Sequence, residues 1–292
     1  MDKKVSLNNI LLIIFLAALW GGNVTAVRII MVNGVTPFTV GALRFTSSMV
    51  LVFIWAKITG VGLGYQKGDL LRFLPMVAFF VSQISLFNLA SKYSNSGRIG
   101  VLLTTYPFWL ALVSGFFFKD DKQTLLRIVG AGVALVGVIC IFSDNFFTGN
   151  VTLKGDVIIL ISALLVPGTI IVQRKLLNAG QHPIKVLHYQ LVFSVLCFYF
   201  LMFIFERPFS FELIPANLFS ILYQGMIVGG VSFIGWQHML KKYTPSRLSS
   251  FFFLVPCFSV LFGSLILHEP MTWGLGIGLA LIAIGIYIEN RK

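Results

Sequence analysis

Carboxylates are scarce in this sequence, with only 10 Asp and Glu among 292 residues, and they avoid its apolar runs. From Asp2 to Glu289, all ten fall at the ends of those runs or in the loops between them. An intramembrane carboxylate is the usual proton relay. Coupling to protons would therefore have to use His188 or His238, or else the substrate's own gradient drives movement. Motifs for catalysis are missing as well. There is no GxxxxGK[ST] phosphate loop, no HExxH, no GxSxG and no Cys/His ligand cluster, which removes the usual routes to nucleotide hydrolysis and to metal or serine chemistry. The chain reads as no enzyme, with no metal and no cofactor. Its three cysteines, Cys140, Cys197 and Cys257, sit inside apolar runs without pairing or metal spacing and read as small core- or lipid-facing residues.

Charge of either sign is also low, 11% of residues against roughly 25% in a soluble domain. With 57% apolar residues and a mean hydropathy of +0.91, the chain is a polytopic membrane protein. No soluble domain, low-complexity segment or long tail interrupts it. Ten spans are expected, at about Ile10–Ile30, Pro37–Ile58, Leu70–Ala90, within Ser96–Asp121, Leu125–Phe142, Val157–Leu177, Ile184–Phe205, Leu218–Leu240, Leu248–Leu267 and Met271–Ile288. The first could pass in isolation for a signal peptide, but the chain repeats it, so it belongs to the mature fold.

The repeat is explicit. Placing Arg98 on Arg247 brings Pro107 onto Pro256 and Asp120 onto Glu269, and downstream Gly130 and Gly137 match Gly278 and Gly285. Earlier in the chain Gly22, Arg28, Gly34 and Pro37 match Gly168, Arg174, Gly180 and Pro183. Residues 7–143 and 155–289 are thus two copies of five spans each. An odd number of spans makes the second copy enter the membrane in the opposite sense. The fold class is an all-α membrane bundle of ten transmembrane helices in two inverted repeats. A proline near the middle of the fourth and ninth spans frees the carbonyls of Leu103 and Phe252, giving either a passive packing kink or a hinge at Pro107 and Pro256.

The net charge of +12 would suggest nucleic acid in a soluble chain. Here it follows the bilayer. With the N-terminus inside, all but six of the 22 Lys and Arg lie at the cytoplasmic side, the exceptions being Arg28, Arg44, Lys92, Arg98, Lys154 and Arg207. That bias puts both termini in the cytoplasm and the chain in the cytoplasmic membrane, with no nucleic-acid partner.

Few polar residues lie inside the spans. Arg44, about two turns into the second span, has no acid within a span to meet it. Either it bonds backbone carbonyls and reaches outward, or it receives an anionic group of a substrate. Gln190 takes its place in the second copy. Trp20, Asn23, Tyr106, Trp109, Tyr223 and Trp236 are further candidates for substrate binding, with Gln83, whose amide must face protein or water.

Two copies of five spans, Trp20-Gly21 late in the first, Arg44-Phe45 in the second, and a proline-centred fourth span ending in acids together resemble an EamA-type member of the drug/metabolite transporter superfamily. The first acidic terminator, Lys119-Asp120-Asp121, and Val166-Pro167-Gly168 in the sixth span depart from the family pattern. The resemblance implies a central cavity lined mostly by spans 3, 4, 8 and 9, so that Gln83, Tyr106, Trp109 and Trp236 face a small-molecule substrate. It also implies a secondary transporter working as a monomer or homodimer, with export of amino acids or related metabolites as the commonest theme. Uptake, another solute such as an amine, nucleobase, sugar or drug, and a non-transporting membrane sensor or assembly component are the alternatives. The charge bias carries its own test: reporter fusions at Lys292 should report a cytoplasmic C-terminus, and an external signal would overturn the orientation.

Overall fold

A backbone crossing hydrocarbon has to satisfy its N–H and C=O groups within the segment, so the apolar runs fold as helices. The computed structural model describes residues 6–90, 93, 96–119, 124–148, 153–207, 211, 212, 214–245, 248, 251–267 and 273–290, and every regular element among them is helical. The first half comprises α1 (Leu7–Val32), α2 (Pro37–Ile58), α3 (Asp69–Ala90), α4 (Ser96–Leu103), α5 (Tyr106–Phe117) and α6 (Leu125–Thr148). The second comprises α7 (Leu153–Asn178), α8 (Pro183–Phe205), α9 (Pro215–Leu222), a π-helical stretch (Tyr223–Ser232), α10 (Phe233–Lys242), a 3-10 turn (Phe251–Leu254), α11 (Val255–Leu267) and α12 (Trp273–Asn290). Among the described residues six helical segments are long and apolar enough to cross a bilayer, α9 to α10 counting as one, and four shorter apolar helices bring the crossings to ten.

The two halves use the same local chemistry. α1 ends where Gly34, at φ 80°, donates its N–H to the Met31 carbonyl, while Val35 N–H reaches Ile30 O. α7 ends the same way at Gly180, φ 88°, which donates to Leu177 O, with Gln181 reaching Leu176 O. A side chain would strain that left-handed residue, which is why glycine stands at both ends. Pro37 and Pro183 then open α2 and α8 at positions where no N–H is needed.

The helices pack by exchange between the halves. α2 lies on α8 and α6 on α12; α3 and the α4–α5 pair lie on α7, and correspondingly α9, the π-helical stretch, α10 and α11 lie on α1. This is the pairing of a two-fold axis in the membrane plane. It is sharpest between α6 and α12. A β-carbon on Gly137 would sit 2.8 Å from the Gly278 carbonyl, and one on Gly285 would sit 2.6 Å from the Gly130 carbonyl. The two pairs are the repeat-related glycines with roles exchanged, so small residues here let backbones touch.

The expected single helices around Pro107 and Pro256 need correcting. The chain breaks at Thr104-Thr105, and Pro107 lies in the first turn of a new helix, α5. Pro256 likewise is the second residue of α11, after the 3-10 turn. A proline in a first turn has no intrahelical acceptor to disappoint, so the break sits ahead of it. Thr104 Oγ1 donates to Gly100 O at 2.7 Å and Thr105 Oγ1 to Leu102 O at 2.7 Å, closing the end of α4.

Among the described residues two acids, Glu206 and Asp69, stand at span ends and are buried there. Glu206, just past α8, accepts from the N–H groups of Phe38 and Thr39 at 2.7 and 2.8 Å and from the Thr36 hydroxyl at 2.5 Å, capping α2. At the opposite end of the same helix pair, Asp69 opens α3 and meets Lys185 of α8 at 2.9 Å, both side chains being under a tenth exposed. The glycine-rich 60–68 segment crosses beside them, held where Tyr189 Oη donates to Leu63 O at 3.0 Å. Removing one partner of a buried pair leaves the other charge uncompensated. Lys185→Met should therefore cost about 3–5 kcal/mol, and the Lys185→Met/Asp69→Leu double variant should recover most of it. Denaturation in detergent checks both, and additive losses would show that the pair is not coupled.

Candidate functional site

Residues three and four apart share a helix face, and four helices each present such a stripe to one central cavity of about 210 Å³. α1 contributes Trp20, Asn23 and Val24; α3 contributes Phe80, Gln83, Ile84 and Phe87; α7 contributes Val166, Thr169, Ile170 and Gln173; α10 contributes Phe233, Trp236 and Gln237. Arg44 of α2 and Gln190 of α8 enter singly. The two helix breaks supply Leu103, Thr104 and Tyr106 on one side and Phe252 and Val255 on the other.

The lining follows the repeat. Aligning the halves as in the sequence pairs Trp20 with Val166, Asn23 with Thr169, Arg44 with Gln190, Gln83 with Phe233, Phe87 with Gln237, Leu103 with Phe252 and Tyr106 with Val255. Every one of these positions faces the cavity. The chemistry differs within nearly every pair, so a two-fold frame encloses a site with no two-fold chemistry.

One part of the wall is aromatic. Trp20 stacks on Phe252 with ring centroids 4.0 Å apart, and Trp236 stands edge-on to Phe252 at 5.0 Å. Other parts are polar and only partly satisfied. Gln173 Nε2 donates to Gln190 Oε1 at 2.7 Å, and Gln83 Nε2 donates to Ser162 Oγ at 3.2 Å. The buried Gln173 Oε1, Asn23 Oδ1, Thr169 Oγ1 and both amide atoms of Gln237 have no hydrogen-bond partner.

Arg44 is the sharpest case. Its side chain is 3% exposed, and its Nε and Nη1 have no acceptor. The guanidinium carbon lies 4.5 Å from the Phe45 ring centroid, which supplies some cation–π attraction but no hydrogen bond. Carbonyls near it are taken by others: Ser47 and Ser48 both donate to the Arg44 carbonyl, and Ser48 also reaches Gly225 O at 2.8 Å. These serines seat α2 on the glycine side of the π-helical stretch, where a β-carbon on Gly225 would collide with Ser47 and the Arg44 carbonyl. A widened helix and a missing side chain thus bring α2 close enough to hold Arg44 at the wall.

Of the candidates named from sequence, Trp20, Asn23, Arg44, Gln83, Tyr106 and Trp236 are gathered around the cavity. Trp109 and Tyr223 lie outside its lining. Trp109 donates its Nε1–H to Thr105 Oγ1 at 3.1 Å, bracing the α4–α5 break, and Tyr223 donates to the Leu19 carbonyl at 2.9 Å, tying the π-helical stretch to α1. Pro107 and Pro256 flank the cavity without lining it. His188 and His238 are away from it too. His238 faces His182 edge-on at 6.5 Å, and burial, then the charges of His238 and Lys241, lower the His182 pKa, which keeps that ring neutral at pH 7. Thr104, Thr169 and Gln173 were not singled out from sequence. Thr169 was findable as the repeat partner of Asn23, and Gln173 as one turn beyond it.

The comparisons with known proteins agree with this architecture. A transporter of Archaeoglobus fulgidus described as uncharacterized is 27% identical over 280 residues, covering 94% of this chain and 95% of its own. The uncharacterized transporter YoaV of Bacillus subtilis is 25% identical over 280 residues, covering 95% of each chain, and the protein PagO of Salmonella typhimurium is 23% identical over 301 residues, covering 99% and 97%. A crystal structure superposes with a TM-score of 0.80 at 17% identity, covering 97% of this chain and 98% of that one, a likeness of fold alone. The model of the EamA-like transporter family matches twice, over residues 7–143 and 153–291. With ten crossings in two inverted repeats around one cavity, the chain belongs to the EamA-like transporter family, a multi-pass membrane transporter of small molecules.

Proposed function

We propose that this transporter is a secondary carrier of small carboxylate-bearing metabolites, amino acids or close relatives, moved out of the cytoplasm by alternating access to the central cavity. The observation that carries the reading is Arg44, a buried cation on the cavity wall with unmet N–H donors. An unpaired charge in a membrane costs at least a few kcal/mol, and a carboxylate offsets that with charge-assisted hydrogen bonds. Unmet acceptors from α1 and α7, Asn23 Oδ1 and Gln173 Oε1, suit an ammonium group. The aromatic wall of Trp20, Trp236 and Phe252 suits an apolar side chain. A cavity of about 210 Å³ is below the roughly 300–1,000 Å³ of drug-sized pockets, which favours a metabolite of amino-acid size. The outward direction rests on the commonest theme of the resemblance, and alternating access on the inverted repeat.

The test compares leucine with leucinamide and isoamylamine in wild type and Arg44→Gln, a change that imitates Gln190. Binding of leucine should fall about 10- to 100-fold in the variant, with the amide and the amine nearly unchanged. An unaltered preference ratio in a well-folded variant would remove the direct contact. Flux of the same series in proteoliposomes, with and without a pH gradient, reads direction and coupling.

The breaks beside the cavity generate a second expectation. Pro107→Ala restores an N–H that lets α4 run on into α5, so flux should drop several-fold while the melting temperature moves little. Equal flux would make the break a passive feature of packing.

A further inference from the structure

Resting on the carboxylate reading of Arg44, we infer that this carrier is an obligate exchanger of carboxylate-bearing solutes: it changes its facing readily when a carboxylate occupies the cavity and slowly when the cavity is empty. Among the described residues lining the cavity, Arg44 is the only charged side chain and Tyr106 the only other ionisable one. Among the described residues two buried acids might have compensated it, and both are already engaged. Glu206 is saturated at the start of α2 by Thr36, Phe38 and Thr39, and Asp69 is paired with Lys185. The empty cavity therefore carries an uncompensated positive charge.

Alternating access passes through a state closed to both sides. In that state water leaves the cavity, and the guanidinium loses the one partner that had been available to it. A bound carboxylate supplies a partner that travels with the site, so the loaded carrier closes with its charge paired. The cost falls on the empty return step alone. An internal carboxylate was the other solution open to a transporter, since it would pair with Arg44 in the empty state and take up a proton when cargo enters. Among its described residues the lining holds none. Coupling by exchange and coupling by protonation of the site are thus alternatives, and this wall is built for the first.

The experiment uses proteoliposomes of the full chain loaded with labelled leucine in sulfate medium, with valinomycin and equal potassium holding the membrane potential at zero. Efflux is followed into buffer alone, leucine, 4-methylpentanoate or isoamylamine. Leucine and 4-methylpentanoate outside should accelerate efflux on the order of tenfold or more, and buffer and isoamylamine should not. In Arg44→Gln the acceleration should shrink toward one, with residual flux no longer dependent on external anion. Should that variant fold poorly, Arg44→Lys, which keeps the charge, should retain the acceleration. Equal efflux into all four media would overturn the exchange while leaving carboxylate transport intact. Acceleration by isoamylamine equal to that by leucine would also overturn it, because exchange would then not depend on a carboxylate. No leucine flux in any medium from a well-folded protein would remove the carboxylate reading and the exchange together.

Discussion

Hydrocarbon offers no hydrogen bonds, so each polar group this chain carries into the membrane has to be met by the chain itself or by what the cavity holds. Much of the structure follows from that constraint. The helix breaks ahead of Pro107 are closed by two threonine hydroxyls. The first turn of α2 is closed by a carboxylate from beyond α8. Lys185 enters the membrane end of α8 because Asp69 is there to receive it. Against this background the unmet donors of Arg44 stand out as those of the one full charge among the described residues of the cavity wall, and the proposed carboxylate contact is built on them.

The inverted repeat settles where residues go and leaves open what they are. Repeat-related positions line the cavity together, yet an arginine faces a glutamine, a tryptophan a valine and a tyrosine another valine. Under the proposed alternating access, symmetry of position serves the motion, because two states related by exchange of the halves have similar packing and similar energy. Asymmetry of chemistry serves selection, because one cargo molecule has no two-fold axis of its own. The contacts between α6 and α12, where Gly137 and Gly285 each meet a glycine carbonyl, belong to the symmetric part and lie away from the cargo.

Much of this was legible before any coordinates. The repeat matches Gly130 with Gly278 and Gly137 with Gly285 in the sequence, but that Gly137 packs on Gly278 and Gly285 on Gly130 appears only in the structure. The depth of Arg44 was legible because charge is rare in such a sequence. The placement of Trp109 and Tyr223 was not, since aromatic residues with a polar edge suit a cavity wall and a brace between helices equally well. The breaks were half-legible: the prolines announced an interruption, but only geometry places it one step earlier, at threonines whose hydroxyls close the helix end. The π-helical stretch has no comparable signature. Its glycines signal close approach, and the extra residue per turn appears only when Ser47 and Ser48 are seen against Gly225.

The exchange of partners between the halves also bears on how the chain reaches its membrane. α1 and α7 make their main contacts across the halves, and α2 and α6 each wait for a counterpart from the second copy. During synthesis the first five crossings therefore leave the ribosome with their principal docking faces vacant and with Arg44 lacking its enclosing wall. They have to persist as separately inserted helices, held by lipid and by their own hydrogen bonds, until α7 to α12 arrive. Assembly thus waits on the second half of the sequence, and a stop codon before α7 leaves a set of helices rather than half a carrier.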